Sequence, residues 1–416
     1  MKPLPRTIIG RTCLSTYPAA GRRHFPITRT YSANLFGVEL KVGKSLAFQE
    51  QDTVVAACAT SALWSVFHGT GVLFQHAILS PSAITKIATE QITDGERSRA
   101  FPSHGLDAIE MARAIKEVGL EPYPVRVTNE YLLKGTAYAY LKAGIPMIFG
   151  FMLYDAAQTP SPPMGKHAVA LTGFSLPDGP PKPFGPNFNL RASRIDKFYA
   201  HDDQVGPFAR MAFDGISINV PNQPLPVPTV ATSWRGSDEQ IGSGRAVPEI
   251  LLVPLYHKIR IPFGCIHDQV MEFDSVVDHV FRTIAGATSD AAREVAPAAP
   301  ASHEWDIYLT TVNLLKADIA RSALILPGEK AKLLTSRMPR YLWRATVLQN
   351  DTPFLDLIFD ATDIEQGSNV IGVAPIRQIF YGNSSTLAPS LLWRTRSVPL
   401  ERGKSSNGFA TAPVTD

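Results

Sequence analysis

The sequence predicts an α+β fold, in which a helical region is followed by an antiparallel sheet. Up to about residue 142, apolar residues recur at helical spacing in four segments. From Met147 onward the pattern changes to short apolar runs separated by segments rich in Pro and Gly, which is typical of strands and turns. Helices followed by strands in this order are typical of an α+β domain.

Four helices are expected before residue 145. The first contains Cys58 near its start and ends near His68-Gly69, where glycine favours a helix C-terminus. The second begins at Ser80-Pro81, with serine as the N-cap and proline at the first helical position. The third and fourth are expected over Ser103–Val118 and Thr128–Lys142, each followed closely by glycine.

The strands expected in this part of the chain are Tyr31–Leu46 (as one or two strands), Met147–Leu153, His167–Phe174, Asp196–Asp202, Phe208–Phe213 and Ile250–Ile261. Residues 220–247 are rich in Pro, Ser and Gly and are expected to form a surface excursion.

A second α+β unit is expected at the C-terminal end. It begins with a helix over Gln269–Ala285 and continues after an Ala- and Pro-rich linker over residues 286–303. Its strands are expected over Trp305–Val312, Arg340–Leu348 and Phe354–Phe359, with a helix between Leu314 and Ser322.

Composition limits the class of protein. Hydrophobic residues make up 45% and charged residues 19%, so a packed core is feasible. A net charge of +3 without a long basic run argues against nucleic acid as a partner. Three cysteines, at positions 13, 58 and 265, argue against a disulfide framework and indicate a reducing compartment, and no pair has the spacing of a zinc site. We find neither a signal peptide nor an apolar stretch long enough for membrane insertion, so a cytoplasmic location is expected.

A cysteine near the start of an apolar helical run is the first candidate for a catalytic group. Around Cys58, the residues Ala59, Leu63 and Val66 recur at helical spacing, so one face of this helix is expected to be buried. An early turn lies near the positive end of the helix dipole. That position favours the thiolate, which is the nucleophilic form of cysteine.

A histidine and an aspartate on later strands complete the candidate set. His167 begins an apolar strand after a flexible loop, which suits a base that must meet a cleft. Asp202 ends another apolar strand and can accept the second ring N–H of a histidine. Because side chains alternate along a strand, only one of Asp202 and Asp203 is expected to face His167, and we select Asp202. His201 is an alternative base.

This arrangement resembles the papain-like cysteine peptidases, and in particular the bacterial branch related to the bacteriocin-processing peptidases. The resemblance covers roughly residues 45–215. It implies a helical lobe with a central nucleophile helix packed on an antiparallel sheet. The domains expected on this basis are an extended lead-in over residues 1–34, a papain-like cysteine hydrolase domain over residues 35–262, and a C-terminal domain of unknown function over residues 263–416.

The resemblance also implies a role for each residue. Cys58 would be the nucleophile, His167 the general base and Asp202 the group that orients it. Gln51, seven residues before the cysteine, would place its side-chain amide in the oxyanion hole, with Gln49 as the alternative. The family requires neither a metal nor an organic cofactor.

We therefore expect a cysteine-dependent hydrolase, most simply a peptidase that cleaves a peptide or isopeptide bond in a peptide or protein substrate. The same triad serves acyl transfer and deamidation, which are alternative reactions. Ala59 stands where Trp or Gly follows the cysteine in the family. A non-catalytic module that binds a peptide or protein is therefore a second alternative, and a structural protein with an inert Cys58 is a third. The C-terminal domain is expected to select substrate or to dock a protein partner.

Overall fold

The computed structural model describes residues 12–18, 21–50, 58–90, 105–184, 188–285, 303–363 and 369–376. Contacts within the chain divide it into two compact units. Among the described residues, the first unit contains the chain up to Asp178 together with Ile195–His257, and the second contains Gly179–Arg194 and the chain from Lys258 onward. The segment Gly179–Arg194 therefore groups with the second unit.

The elements are numbered along the whole chain. The helices of the first unit are α1 (Cys58–Phe74), α2 (Pro81–Thr89), α3 (Ala108–Glu117) and α4 (Glu130–Leu141). Its strands are β1 (Arg23–His24), β2 (Arg29–Leu35), β3 (Val38–Ser45), β4 (Leu120–Arg126), β5 (Met147–Asp155), β6 (Pro163–Ser175), β9 (Lys197–Asp202), β10 (Gly206–Ala212), β11 (Ser217–Ile218), β12 (Val227–Pro228), β13 (Val230–Ala231) and β14 (Gly244–Tyr256).

The second unit contains β7 (Pro183–Phe184), β8 (Phe188–Asn189) and a 3-10 helix (Arg191–Arg194). These are followed by α5 (Phe263–Ala285), β15 (Glu304–Thr311), α6 (Val312–Arg321), α7 (Pro327–Thr335), β16 (Tyr341–Gln349), β17 (Thr352–Asp360) and β18 (Val370–Pro375).

Six strands of the first unit close into an antiparallel barrel. The order is β6, β5, β14, β13, β10 and β9, and β9 pairs again with β6 to complete the ring. The closing pair includes Ala170 opposite His201, and the β5–β6 pair includes Phe151 opposite His167. Strands β1 and β4 add to the outside of this ring, by pairing with β6 and β14 respectively. The hairpin β2–β3 forms a separate two-stranded sheet.

Helix α1 packs on this barrel through an apolar face. Leu63, Val66 and Phe67 are fully buried and share one core cluster with Ile148 of β5 and Ala170 of β6. Each fully buried side chain of this size contributes roughly 1.5–3 kcal/mol. The spacing of these residues gives the helix a fixed rotation, which places its first residue beside β6.

The expected papain-like fold, a helical lobe packed on an antiparallel sheet, is wrong. The described structure is dominated by strands, and its central element is a closed barrel of six strands. The difference arises within the segment we expected to be a surface excursion. There, Val230 pairs with Ala246 of β14, while Ala231 pairs with both Arg245 of β14 and Ala212 of β10. This short strand joins the two halves of the sheet into a ring.

Several individual elements agree with the sequence predictions. Ser80 caps α2 by accepting a hydrogen bond from the Ala83 backbone N–H, and proline occupies its first turn. Helix α1 differs from its prediction, because it continues to Phe74, one and a half turns beyond its expected end. Gly69 lies inside this helix and packs closely against Pro146. Within the described ranges, no helix combines the length and the apolar character needed to cross a bilayer.

The second unit is built on a four-stranded antiparallel sheet in the order β15, β16, β17 and β18. A buried ion pair lies on this sheet. Arg344 donates from Nε and Nη2 to Oδ2 of Asp356, at 3.0 and 2.7 Å, and Thr346 donates to Oδ1 of the same carboxylate at 2.5 Å. Because Asp356 is fully buried, its charge depends on these donors.

Replacing Arg344 with Leu should therefore leave the Asp356 charge without its main partner and lower the free energy of unfolding by about 3–5 kcal/mol. Arg321 provides the control, because its ion pair with Asp318 is largely exposed. Arg321→Leu should change the stability by less than about 1 kcal/mol. Urea denaturation followed by circular dichroism measures both values, and equal losses in the two variants would contradict this interpretation.

Candidate functional site

Cys58 lies at the first residue of α1 and is half-buried. Its neighbours along the helix, Ala59 and Ala62, are buried in the core. The backbone N–H groups of the first helical turn point toward the N-terminal end. They place the positive end of the helix dipole near the sulfur.

His167 lies on β6 and is 5% exposed. Two aromatic rings fix the orientation of its imidazole. Phe151 from β5 contacts it edge-on with ring centroids 5.5 Å apart, and Trp234 does so at 4.9 Å. An imidazole packed in this way has little rotational freedom, so its two ring nitrogens face fixed directions.

The thiol of Cys58 interacts with the imidazole of His167. Burial alone would lower the pKa of His167. The neighbouring carboxylate of Asp202 and the sulfur of Cys58 outweigh burial and raise that pKa from 6.5 to about 10. Because Nε2 faces carboxylates, Nδ1 is the ring nitrogen that remains for the sulfur. The structure therefore brings together the cysteine and the histidine, which lie 109 positions apart in the sequence.

Asp202 holds the other side of the imidazole. Its Oδ1 lies 3.2 Å from Nε2 of His167, in ion-pair contact but without the alignment of a regular hydrogen bond. Three donors fix the carboxylate. Oδ1 accepts from the backbone N–H groups of Gln204 and Val205, at 3.1 and 3.2 Å, and Oδ2 accepts from the indole N–H of Trp234 at 2.9 Å. Burial opposes ionisation, but His167 and these donors keep the pKa of Asp202 below its usual value.

Asp203 also faces the histidine, which we did not expect. Its Oδ1 lies 3.7 Å from Nε2 of His167. The alternation argument fails here because β9 ends at Asp202 and Asp203 already belongs to the turn toward β10. Burial, together with the negative charge of Asp202, raises the pKa of Asp203 to about 7. Near neutral pH, one carboxylate of this pair is therefore ionised while the other still holds its proton for much of the time.

The remaining sequence candidates have different outcomes. Gln51, expected in the oxyanion hole, lies outside the described residues. The alternative Gln49 is described and half-buried. The alternative base His201 is buried between the rings of Phe48 and Phe208, and burial lowers its pKa to about 3. A histidine in this setting stays neutral and acts as a core residue.

Trp234 is the site residue that the sequence analysis missed. It lies in the loop that connects β13 to β14, and its backbone carbonyl accepts hydrogen bonds from the N–H groups of Gly242 and Gly244. A Cβ on Gly244 would come within 2.6 Å of the Trp234 Cβ, so only glycine fits at that position. The available signal was a tryptophan within a segment otherwise rich in Pro, Ser and Gly, where a large apolar residue is unusual.

His167, Asp202 and Asp203 also have the composition of a cation site, with donor atoms within 4.8 Å of one another. The contacts of Asp202 favour a different use. Its two oxygens already accept three hydrogen bonds, which leaves little capacity for a metal ion. The arrangement therefore fits a carboxylate that orients and charges an imidazole better than it fits a metal centre.

A cavity of about 390 Å³ opens beside Cys58 and His167. Its wall also includes the first residues of α3, together with Lys166 and Glu249. This volume lies within the usual range for ligand sites. A substrate group placed in this cavity would lie next to both the sulfur and the imidazole.

A scan against models of known protein families finds no match for this sequence, and a search of curated proteins finds no significant similarity. The chemistry of the site therefore has to be argued from its own geometry.

The role of Trp234 can be tested by removing its N–H while keeping an aromatic ring. Trp234→Phe should lower the free energy of unfolding by about 1–3 kcal/mol, because the buried carboxylate of Asp202 loses a donor. Trp234→Ala should cost more, about 3–5 kcal/mol, because a cavity forms as well. Trp64→Phe is the control, since Trp64 packs edge-on against His68 and does not contact Asp202. Thermal denaturation compares the three variants, and equal effects of the two Phe variants would contradict this role.

Proposed function

We propose that this protein is a cysteine-dependent hydrolase, most simply a peptidase that cleaves a peptide or isopeptide bond. The observation that carries the proposal is the continuous contact from the sulfur of Cys58 through the imidazole of His167 to the carboxylate of Asp202. A nucleophile, a base and a group that orients the base are the three parts that covalent acyl chemistry requires.

In the proposed reaction, the imidazolium of His167 stabilises the Cys58 thiolate. The thiolate attacks the substrate carbonyl carbon, and the resulting tetrahedral intermediate carries a negatively charged oxygen. His167 then donates its proton to the leaving amine, and a thioester remains on Cys58. Neutral His167 next takes a proton from water, which attacks the thioester and releases the acid product.

Two groups are proposed to stabilise the oxyanion. The backbone N–H of Cys58 at the start of α1 is one, and the side-chain amide of Gln51 is the other. Removing one such donor typically costs about 2.7–4 kcal/mol of transition-state stabilisation. Asp202 acts without contacting the substrate. It keeps the imidazole ring in one orientation and stabilises its charged form.

The proposed substrate is a peptide or protein segment that enters the cavity beside Cys58. The reaction needs water as its second substrate and no metal or organic cofactor. The three cysteines are free thiols, which suits a reducing compartment such as the cytoplasm. We place substrate selection or partner docking in the second unit.

The selective reactivity of Cys58 provides a direct test. Cys58 should react with iodoacetamide at least about tenfold faster at pH 6 than the half-buried Cys13 and Cys265, because the His167 imidazolium lies beside its sulfur. Mass spectrometry of the partially labelled full chain gives all three rates in one experiment.

The controls follow from the same chain of contacts, which runs from Cys58 through His167 to Asp202. His167→Ala should bring the rate at Cys58 down to that of the other two cysteines, while His201→Ala should leave it high if the variant is folded. Hydrolysis of a peptide substrate should fall by about 100-fold to 10,000-fold in His167→Ala. A wild-type Cys58 that is no more reactive than Cys13 and Cys265 would rule out the hydrolase.

The two aspartates should respond to pH in opposite ways. The pKa of Asp203 rises on folding from 3.8 to about 7, so its contribution to stability is full below pH 3.8 and is lost as pH rises to about 7. Asp203→Asn has no such proton to lose. Relative to wild type it should gain up to about 4 kcal/mol between pH 4 and 7, the free-energy equivalent of that pKa change.

Asp202→Asn is the matched variant. The pKa of Asp202 falls on folding, so its carboxylate stabilises the protein above pH 3.8, and removing the charge should destabilise the protein at neutral pH. Urea denaturation at several pH values measures both variants. If the two variants show the same dependence on pH, the assignment of one charged and one protonated aspartate is wrong.

A further inference from the structure

The cavity beside Cys58 carries a charge opposite to that of the whole chain. The protein has a net charge of +3. Among the described residues that line it, three carboxylates, from Asp107, Glu110 and Glu249, stand against one ammonium group, from Lys166, apart from the ion-paired site itself.

Two of these carboxylates are held in place by the start of α3. Oδ1 of Asp107 accepts from the backbone N–H of Glu110 at 2.8 Å, and Oε2 of Glu110 accepts from the backbone N–H of Asp107 at 2.8 Å. This reciprocal capping box fixes both side chains at the cavity wall. Their charges are therefore part of a rigid element.

The third carboxylate belongs to Glu249, which lies at an irregularity in β14. The register with β5 shifts between Pro248 and Ile250, so Glu249 is the extra residue of a bulge. A bulge redirects a side chain, and here it places an exposed glutamate on the cavity lining. No described hydrogen bond or ion pair engages this carboxylate.

The rest of the wall is apolar. Leu106, Met111 and Phe151 are buried and line the cavity together with Ile250. Such a wall suits the aliphatic stem of a long side chain whose charged end remains near the carboxylates. Lysine and arginine are the side chains that have this form. His167, which is 5% exposed, belongs to the same lining.

We infer that this cavity selects a positively charged, long aliphatic side chain, lysine or arginine, next to the bond that Cys58 attacks. The inference rests on the proposed function for its meaning as substrate specificity. Its electrostatic basis does not depend on hydrolysis, because any cationic molecule that approaches Cys58 should meet the same field.

The first experiment measures this field without any turnover. Two methanethiosulfonate reagents of similar size, one with a trimethylammonium group and one with a sulfonate group, are reacted with Cys58 in the full chain. The ratio of the cationic to the anionic rate is divided by the same ratio for a small free thiol. We expect Glu249→Lys to lower this normalised ratio about tenfold or more, and Glu249→Gln by a smaller factor.

Three controls fix the interpretation. Lys166→Gln should shift the ratio in the opposite direction, because it removes a positive charge from the lining. Glu121→Gln on β4, an exposed glutamate outside the lining, should leave the ratio unchanged. High salt should reduce the difference between wild type and Glu249→Lys, because it screens the field.

The second experiment uses peptides that differ only in having Lys, Arg, Gln or Glu beside the scissile bond. Wild type should cleave the Lys and Arg peptides at least about tenfold faster by kcat/KM than the Glu peptide, and Glu249→Lys should reverse or abolish this preference. If peptides are cleaved without a charge preference and Glu249→Lys leaves the reagent ratio unchanged, the inference fails while the hydrolase stands. If no peptide is cleaved but the reagent ratio depends on Glu249, the proposed hydrolase fails and the cation-selective cavity is supported.

Discussion

The ion pair between His167 and Asp202 is the interaction on which the site depends. A buried imidazolium is costly unless a negative charge lies beside it, and here the carboxylate oxygen lies 3.2 Å from Nε2. The pair exists because β6 and β9 are neighbours in the closed barrel, with Ala170 opposite His201. The apolar face of α1, buried against β5 and β6, then sets Cys58 on the other side of the imidazole. The closed barrel therefore provides the contact between His167 and Asp202, and the packing of α1 provides the contact between Cys58 and His167.

The protonation of the second aspartate, Asp203, explains how the charged pair of His167 and Asp202 can be buried. Asp203 and Asp202 are adjacent and both face His167, so two full negative charges would stand against one positive charge. Because burial penalises the surplus charge, the proton stays on Asp203 up to about pH 7 and the buried group remains close to neutral overall. Asp202 is the one that ionises because it has three donors, whereas neither oxygen of Asp203 has an aligned donor. The difference between the two residues is thus one of hydrogen bonding rather than of distance alone.

The sequence was sufficient to predict features that depend on local patterns. The helix at Cys58, the apolar strands that carry His167 and Asp202, and the capped start of α2 all follow from periodicity and end signals. Features that depend on pairing between distant segments could not be read in this way. The two-residue strand Val230–Ala231 is too short to show alternation, yet it closes the barrel. Strand β4 was missed because Pro122 and Pro124 interrupt its pattern. Prolines are tolerated there because β14 is the one strand with which β4 pairs in the described part of the chain.

The loop after β13 connects the closure of the barrel with the site at His167 and Asp202. Once Val230 and Ala231 are paired on both sides, the chain that leaves them is anchored, and Thr232 donates to the Gly244 carbonyl at 2.5 Å across the base of the loop. This anchoring brings Trp234 against both members of the ion pair, with its ring beside His167 and its N–H on Asp202. The strand that closes the ring therefore also anchors the loop whose Trp234 covers the imidazole. A more open sheet with the same cysteine, histidine and aspartate would lack this cover. The barrel closure, which the sequence analysis did not predict, therefore also determines how His167 and Asp202 are covered.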